Sequence, residues 1–326
     1  MSLTFRVVVL AIAVSVSVAA CGGGAQQPTE DPGAKAAEQQ LDAQQALTAK
    51  LNAYIGCFNR VDSQVHTGAE NYVGWMKDPA AGPTGRESRV YGPFDIDAYD
   101  MKLCDGPMRE AVAASPSLPS LDAAARRYTE ALKVLQPLSH EARDYYERQD
   151  YEDDQFAKGK QLHAPLMAAL GAFAEASGTF SAELDSQNDA AQREQLKLLE
   201  QAQGRTREYY RLAMMLDAKE IVGVLQDESF DVVRAKALLD GFNRISDEAH
   251  AVVADQEPGK LDWNSFETAA EKFRKEGKAR LKRVAGKTPY SEMEKRWLSS
   301  ASTAPEGSPG RLLNAYNDLV FQSNRQ

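Results

Sequence analysis

Apolar residues recur at helical spacing along most of this 326-residue chain. Between about residues 32 and 77, apolar side chains three or four positions apart mark one helical face: Leu47, Leu51, Ile55, Phe58, Val61 and Val65. No segment alternates apolar and polar residues strictly over six positions, as a half-buried strand would. We therefore predict an all-α fold, built as an elongated antiparallel multi-helix bundle.

One long segment interrupts the helical pattern. Residues 78–120 are rich in glycine and proline and include Cys104. Long irregular segments inside a compact domain are uncommon and often functional. We predict an irregular loop excursion near 78–120, with short helical turns over 97–103 and 107–114.

Helical patterns return after this excursion. They predict helices over 121–154, from 157 to about 184, and over 187–215. The pattern offers no strong linker, although the halves on either side of about residue 219 could form subdomains.

The first twenty residues are typical of a targeting segment. Arg6 supplies a positive charge, and the apolar run over 7–18 is too short to span a bilayer, which takes about 20 residues. Val18-Ala19-Ala20-Cys21 is similar to the lipobox of bacterial lipoproteins. The pattern predicts a signal peptide over 1–20 and lipid attachment at Cys21. The alternative is a plain secretory signal in which Cys21 is incidental.

The residues after this signal indicate a tether and a location. Residues 21–33 are rich in glycine and nearly lack apolar side chains, so they are predicted to form a flexible tether to a helical domain over 34–326. In enteric-type bacteria, Gly22 rather than aspartate after the cysteine is the pattern of lipoproteins sent to the outer membrane. We expect a cell-envelope protein, lipid-anchored in the outer membrane and facing the periplasm.

The chain has three cysteines, of which lipidation would use one. Cys57 and Cys104 would remain in an oxidising compartment, which favours a disulfide between them. Closing a loop of that length is worth roughly 4 kcal/mol in the chain-entropy model. The alternative is two buried free thiols, which behave as small apolar groups.

The charge distribution bears on possible partners. The net charge of −9 argues against a nucleic-acid partner, since such proteins are usually basic. One stretch is strongly basic and could contact anionic lipid or a cell-wall polymer: Lys272, Arg274, Lys275, Lys278, Arg280, Lys282 and Arg283. The alternative is a solvated helix face that balances acidic residues elsewhere.

The densest polar segment offers a candidate ligand site. Tyr146, Asp150, Asp154 and His163 combine aromatic rings with carboxylates, and Asp150 and Asp154 share a helical face. Such a cluster could bind a cation or a polar ligand. The alternative is a helix–helix junction in which Asp150 or Asp154 caps the next helix and pairs with a neighbouring lysine.

Searches for catalytic and metal motifs give no match. The Asp62–His66 and Asp247–His250 pairs could each face one way on a helix, but such contacts are more often surface hydrogen bonds than metal sites. The di-iron Glu-x-x-His pattern is missing. We therefore expect no catalytic residue, metal or cofactor.

Three segments carry a family resemblance: Lys50 to Asn59 with Tyr72 and Trp75, Tyr145 to His163, and Tyr316 to Val320. With the lipobox in front, they resemble the YiiG-like bacterial lipoproteins, a domain-of-unknown-function family, over about residues 45–322. The resemblance implies a helical, exported domain and brings no assigned reaction, cofactor or catalytic residue.

These observations predict a non-catalytic, lipid-anchored envelope protein. It would bind an envelope protein or cell-wall polymer through a helical surface, as an adaptor or structural lipoprotein. The alternative is a small-ligand or metal-binding module, or an unrecognised hydrolase, that uses Tyr146, Asp150, Asp154 and His163.

Overall fold

The computed structural model describes residues 32–256, 261–298, 300 and 303–325. These described residues form ten α-helices and no strand, so the all-α bundle prediction is confirmed. The predicted signal peptide and Cys21 lie outside the described residues. The chain forms two compact units, and the boundary between them falls between Ala191 and Gln192. This boundary lies inside a helix and not near residue 219, where the sequence suggested one.

The first unit contains the helices α1 to α4 and most of α5. Their bounds are α1 Pro32–Gly74, α2 Ala98–Ala113, α3 Pro119–Glu147, α4 Tyr151–Asp154 and α5 Ala157–Gln203. The side-chain contacts make α5 antiparallel to α1, because Asp62 meets Ser177 while Tyr72 meets His163.

The predicted stripe of α1 forms the core of this unit. Leu51, Ile55, Val61 and Val65 are buried, and Leu47 packs against the core from its edge. Aromatic rings from the three long helices meet at its centre, with centroids 4.9–6.2 Å apart: Tyr54, Phe58, Tyr128, Phe173 and Phe180.

The predicted loop excursion is partly helical. Residues 98–113 form one helix, α2, where two separate turns were predicted. Asp97 caps α2 in a reciprocal capping box with Asp100, and Pro107 is accommodated inside the helix. The Cys57–Cys104 disulfide, which the sequence predicted, joins α1 to α2.

The remaining irregular segment, 75–97, is held against α3. The hydroxyl of Ser139 donates to the carbonyl oxygen of Phe94, and Nδ1 of His140 lies 2.9 Å from a carboxylate oxygen of Asp95. The hydrogen bond to Asp95 raises the pKa of His140. These contacts fix the loop beside the end of α3, next to the predicted ligand cluster.

The predicted helix break near residues 185–187 is wrong, because α5 continues to Gln203. Residues 185–187 include neither glycine nor proline, so nothing in this stretch forces the helix to end. The chain turns instead at Gly204, whose φ of +72° lies in the left-handed region that favours glycine. Thr206 then caps the next helix by accepting from the backbone N–H of Tyr209.

The second unit contains the end of α5 and five further helices. Their bounds are α6 Arg207–Leu225, α7 Val232–Gln256, α8 Leu261–Ala285, α9 Glu292–Arg296 and α10 Pro309–Ser323. Helices α7 and α8 are antiparallel, because His250 meets Glu267 while Asp247 meets Arg274. Helices α8 and α10 are antiparallel too, because Lys272 meets Asp318 while Glu276 meets Arg311. Among the described residues, no helix is both long and apolar enough to cross a membrane.

Candidate functional site

The segment with the predicted ligand residues folds into an aromatic junction between α1, α3, α4 and α5. Neighbouring ring centroids lie 4.8–6.5 Å apart. We call this group the junction cluster: Tyr72, Trp75, Tyr145, Tyr146, Tyr151, Phe156 and His163. Contacts of this kind stabilise packing beyond simple burial.

His163 ties the irregular loop to α5. Its Nε2 lies 2.8 Å from the carbonyl oxygen of Pro79, and its Nδ1 lies 2.9 Å from the hydroxyl of Tyr72. Gly82 sits against the imidazole, where an added Cβ would come within 2.6 Å of a ring carbon. Both ring nitrogens of this buried histidine therefore have a partner inside the fold.

Asp154 caps α5. One carboxylate oxygen accepts from the backbone N–H of Lys158 at 2.8 Å, and the other accepts from the hydroxyl of Tyr145 at 2.7 Å. These donors outweigh desolvation and lower the pKa of Asp154. The Lys158 ammonium pairs with Glu141 instead, at 2.9 Å.

Tyr146 is buried at the centre of the cluster, with 4% of its surface exposed. Burial raises its pKa, and the neighbouring Tyr72 hydroxyl acts in the same direction. However, no described group meets the Tyr146 hydroxyl with hydrogen-bond geometry. An unpaired buried hydroxyl is uncommon.

Asp150 lies one helical turn before Asp154, whose backbone N–H donates to the carbonyl oxygen of Asp150 at 3.2 Å. It precedes α4 and makes no side-chain cap hydrogen bond to it. Three non-glycine residues around α4 have left-handed backbone: Gln149, Gln155 and Phe156. The sequence did not indicate these tight turns, because none of the three is a residue that favours them.

The four predicted ligand residues therefore do not converge on one opening. Tyr146 and His163 are interior, Asp154 is a helix cap, and Asp150 is half-exposed at a turn. Among residues 42–253 and 263–325 whose side chains are described, no three His, Cys, Asp or Glu side chains are grouped to hold a metal ion.

The basic stretch on α8 divides into two groups. Arg280 is 3% exposed and donates to the carbonyl oxygens of Leu225, Asp227 and Gly307, so it is not available to a surface. Arg283 pairs with Glu294 at 2.7 Å.

Two further members of that stretch form exposed or half-exposed ion pairs within the unit. Lys272 pairs with Asp318, and Arg274 pairs with Asp247 and Glu271. The members left on the solvent face of α8 are Lys275, Lys278 and Lys282.

A buried network that the sequence did not single out lies at the start of α3. The Lys50 ammonium donates to the carbonyl oxygens of Ala114 and Pro116, each at 2.9 Å, and to the Asp122 carboxylate. The Tyr54 hydroxyl donates to Asp122 at 2.7 Å. The first segment of the family resemblance thus contributes an ion pair to the core rather than a ligand site.

Asp62, His66 and Ser177 form a second network, on α1 and α5. The Ser177 hydroxyl donates to Asp62, and Nε2 of His66 lies 3.3 Å from the same hydroxyl. Nε2 also lies 3.7 Å from the Asp62 carboxylate. A catalytic triad places serine and aspartate at opposite ring nitrogens, whereas here both face the same nitrogen. The arrangement fits a hydrogen-bond network between two helices.

The sequence is similar to known proteins over most of its length. A family model described as "Protein of unknown function (DUF3829)" matches residues 45–325. The chain is 33% identical over 308 residues to "Uncharacterized protein YiiG" of Escherichia coli (strain K12), across 91% of this chain and 86% of that protein. No solved structure matches. The resemblance to the YiiG-like family is therefore confirmed.

Proposed function

This chain belongs to the DUF3829 family, and we propose that it is a lipid-anchored protein of the cell envelope that binds a partner without catalysing a reaction. In this proposal Cys21 carries the lipid, and a helical surface of the domain contacts an envelope protein or polymer. The outer membrane, on its periplasmic side, is the proposed location.

The single observation that carries the location is the disulfide between Cys57 and Cys104. Stable structural disulfides are typical of exported proteins and rare in the cytosol. The bond joins two helices of the core, and its cysteines are buried. Together with the apolar leader and the lipobox, it supports export of the whole chain.

The contacts of the junction cluster favour a structural role for its polar residues over a catalytic one. A general acid, base or nucleophile must reach a substrate. Here His163 is hydrogen-bonded to the loop, and Asp154 accepts from Tyr145 and from the start of α5. These residues are therefore explained by the positioning of the loop and helices.

Amine-reactive crosslinking in intact cells tests the proposed role. We expect the wild-type chain to link to one dominant envelope protein, with the linked lysines on one helical face. Cys21→Ser, which cannot be acylated, should lose most of these links because it no longer reaches the membrane. A matched variant, Lys236→Gln, removes an exposed lysine of α7 without altering the anchor.

Two results would overturn this role. Links only between copies of the chain, or none, would contradict an adaptor. Equal linking by Cys21→Ser would contradict a role that depends on the anchor.

The unpaired Tyr146 hydroxyl favours one rival, a small-ligand module at the junction cluster. Native mass spectrometry of the purified chain tests it. Under the rival, Asp154→Asn would remove a bound mass and leave the melting temperature nearly unchanged. Under our proposal the same change lowers stability, because the amide has one acceptor oxygen where the Asp154 carboxylate uses two, for Tyr145 and for the N–H of Lys158. Asp150→Asn is then neutral and no mass is lost.

A further inference from the structure

The short helix α9 is fastened to the end of α8. The Arg283 guanidinium pairs with Glu294 at 2.7 Å and lies over the ring of Tyr290, 4.3 Å from its centroid. The Tyr290 hydroxyl donates to the carbonyl oxygen of Gly307 at 3.1 Å. Ser291 and Glu294 close a capping box at the start of α9. These contacts set the orientation of the helix.

Another face of α9 presents large apolar side chains to solvent. Met293 is 73% exposed and Trp297 is 51% exposed. Met293 lies in α9, and Trp297, four positions further along the chain, is the residue that ends the helix. Neither is needed to hold α9, which is attached through Tyr290 and Glu294.

The surroundings of this apolar pair are basic. Residues 282–298 hold five basic residues against two acidic ones. Both carboxylates, Glu292 and Glu294, already pair with basic side chains of the same segment. Lys287 and Arg296 are exposed. The segment is thus positive within a chain whose net charge is −9.

We propose that Met293 and Trp297, with Lys287 and Arg296, form a contact surface for an anionic phospholipid bilayer. We call these four residues the α9 patch. Tryptophan favours the membrane interface, because its apolar ring can enter the lipid while its N–H stays hydrated. Each lysine or arginine near an anionic surface adds about 1 kcal/mol, or about fivefold in binding. This inference rests on the proposed function, because it assumes that the protein is held close to a membrane.

The charge distribution favours a bilayer over a protein partner. An acidic chain is repelled by an anionic membrane except where its local charge is positive. The exposed lysines of α8 and the α9 patch are both positive, and the α9 patch also carries exposed apolar side chains. The apolar area is small, which suits shallow contact with headgroups better than a stable protein interface of about 800 Å² per partner.

Vesicle binding by the non-acylated chain tests the proposal. The protein is the chain from residue 21 onward with Cys21→Ser, which retains every described residue. We expect it to bind vesicles of phosphatidylglycerol and phosphatidylethanolamine, weakly and in a salt-sensitive way, and not vesicles of phosphatidylcholine. Binding should shift tryptophan fluorescence to the blue, because Trp297 is exposed whereas Trp263 is buried and Trp75 is half-buried.

Variants of exposed residues separate the α9 patch from the rest of the unit. In a vesicle sedimentation assay, Trp297→Ala should bind more weakly than the unaltered chain, and Lys287→Gln with Arg296→Gln should weaken binding by an order of magnitude or more. The matched controls Phe321→Ala, for an exposed ring, and Lys275→Gln with Lys278→Gln, for exposed lysines of α8, should bind as the unaltered chain does.

Three outcomes would overturn the proposal. They are no binding to anionic vesicles, equal binding by Trp297→Ala, and a concentration-dependent dimer that Trp297→Ala abolishes, which would assign the patch to a second copy of the chain. None of these depends on acylation, so they are independent of whether Cys21 carries a lipid.

Discussion

At the residue scale, the close approach of Gly68 to the loop is the clearest steric requirement. An alanine Cβ at this position would lie 2.9 Å from the Cα of Phe94 and closer still to its backbone nitrogen. The loop backbone is held there by Ser139 and cannot move away cheaply. Glycine therefore allows the loop to lie against α1.

We expect Gly68→Ala to destabilise the protein by about 1–3 kcal/mol through overpacking. Gly56, on the same helix, has nothing within 4 Å of an added Cβ. Gly56→Ala should therefore be neutral or stabilise by up to about 1 kcal/mol, because alanine favours helix. Urea unfolding measures both, and similar free energies of unfolding for the two variants would contradict the described packing.

Two adjacent tyrosines give a second matched pair. The Tyr145 hydroxyl donates to Asp154, whereas that of Tyr146 has no hydrogen-bond partner among the described residues. Tyr145→Phe should lower the free energy of unfolding by about 1–3 kcal/mol because it leaves the cap carboxylate with fewer donors. Tyr146→Phe should be neutral or slightly stabilising. If the two changes cost the same, the contrast between the hydroxyls is wrong.

At the element scale, the disulfide constrains the long connection from α1 to α2. It closes a loop with a sequence separation of 47 residues. The chain-entropy model then predicts that Cys57→Ala with Cys104→Ala costs about 4 kcal/mol. Thermal unfolding of the double variant, and of the wild type with and without reductant, measures this cost. A reduced wild type as stable as the oxidised one would contradict a structural disulfide.

The loop between α1 and α2 also has its own acid-sensitive contact. The Glu87 carboxylate accepts from the backbone N–H groups of Thr84, Gly85 and Arg86 and from the Thr84 hydroxyl. Desolvation acts to raise the pKa of Glu87, but these donors outweigh it and lower the pKa to about 2. A carboxylate with a lowered folded pKa stabilises the fold above its unfolded pKa.

That stabilisation is fully present above about pH 4.3 and is lost as the pH falls toward about 2. Glu87→Gln should thus be less stable than the wild type at neutral pH, with a difference that shrinks as the pH falls through this range. Chemical unfolding from pH 6 to pH 2 measures it. Glu152→Gln, which changes an exposed residue of α4, is the control. If the stability lost in Glu87→Gln were the same at every pH, the low pKa of Glu87 would be contradicted.

The helices themselves were largely predictable. The apolar stripe of α1 could be read from spacing because burial on one face of a helix requires it. The break of α5 was misplaced because the polar composition around residue 187 resembles a turn, whereas the backbone reversal needs Gly204. The continuous α2 was missed because Pro107 suggests a break that the packing of Cys104 and Met108 overrides.

At the scale of the whole molecule, the fold class and the disulfide followed from sequence, but the arrangement of the candidate site did not. Local spacing predicted a shared face for Asp150 and Asp154, and the helical hydrogen bond between them agrees with it. It did not predict that Asp154 caps α5 while Asp150 makes no side-chain cap hydrogen bond. Contacts between distant residues, such as His163 with Pro79, leave no periodic signal in the chain. The burial of Arg280 could not be predicted for the same reason, because its partners Leu225 and Gly307 are distant in the sequence.

The most direct test of the lipid-anchored envelope protein is the mass of its mature N-terminal peptide. The protein would be extracted with detergent from membranes of its own cells, digested and measured by mass spectrometry. The account predicts a peptide that begins at Cys21 and carries diacylglyceryl and further acyl mass, which Cys21→Ser lacks. A peptide without lipid, or one that still contains residues 1–20, would contradict it.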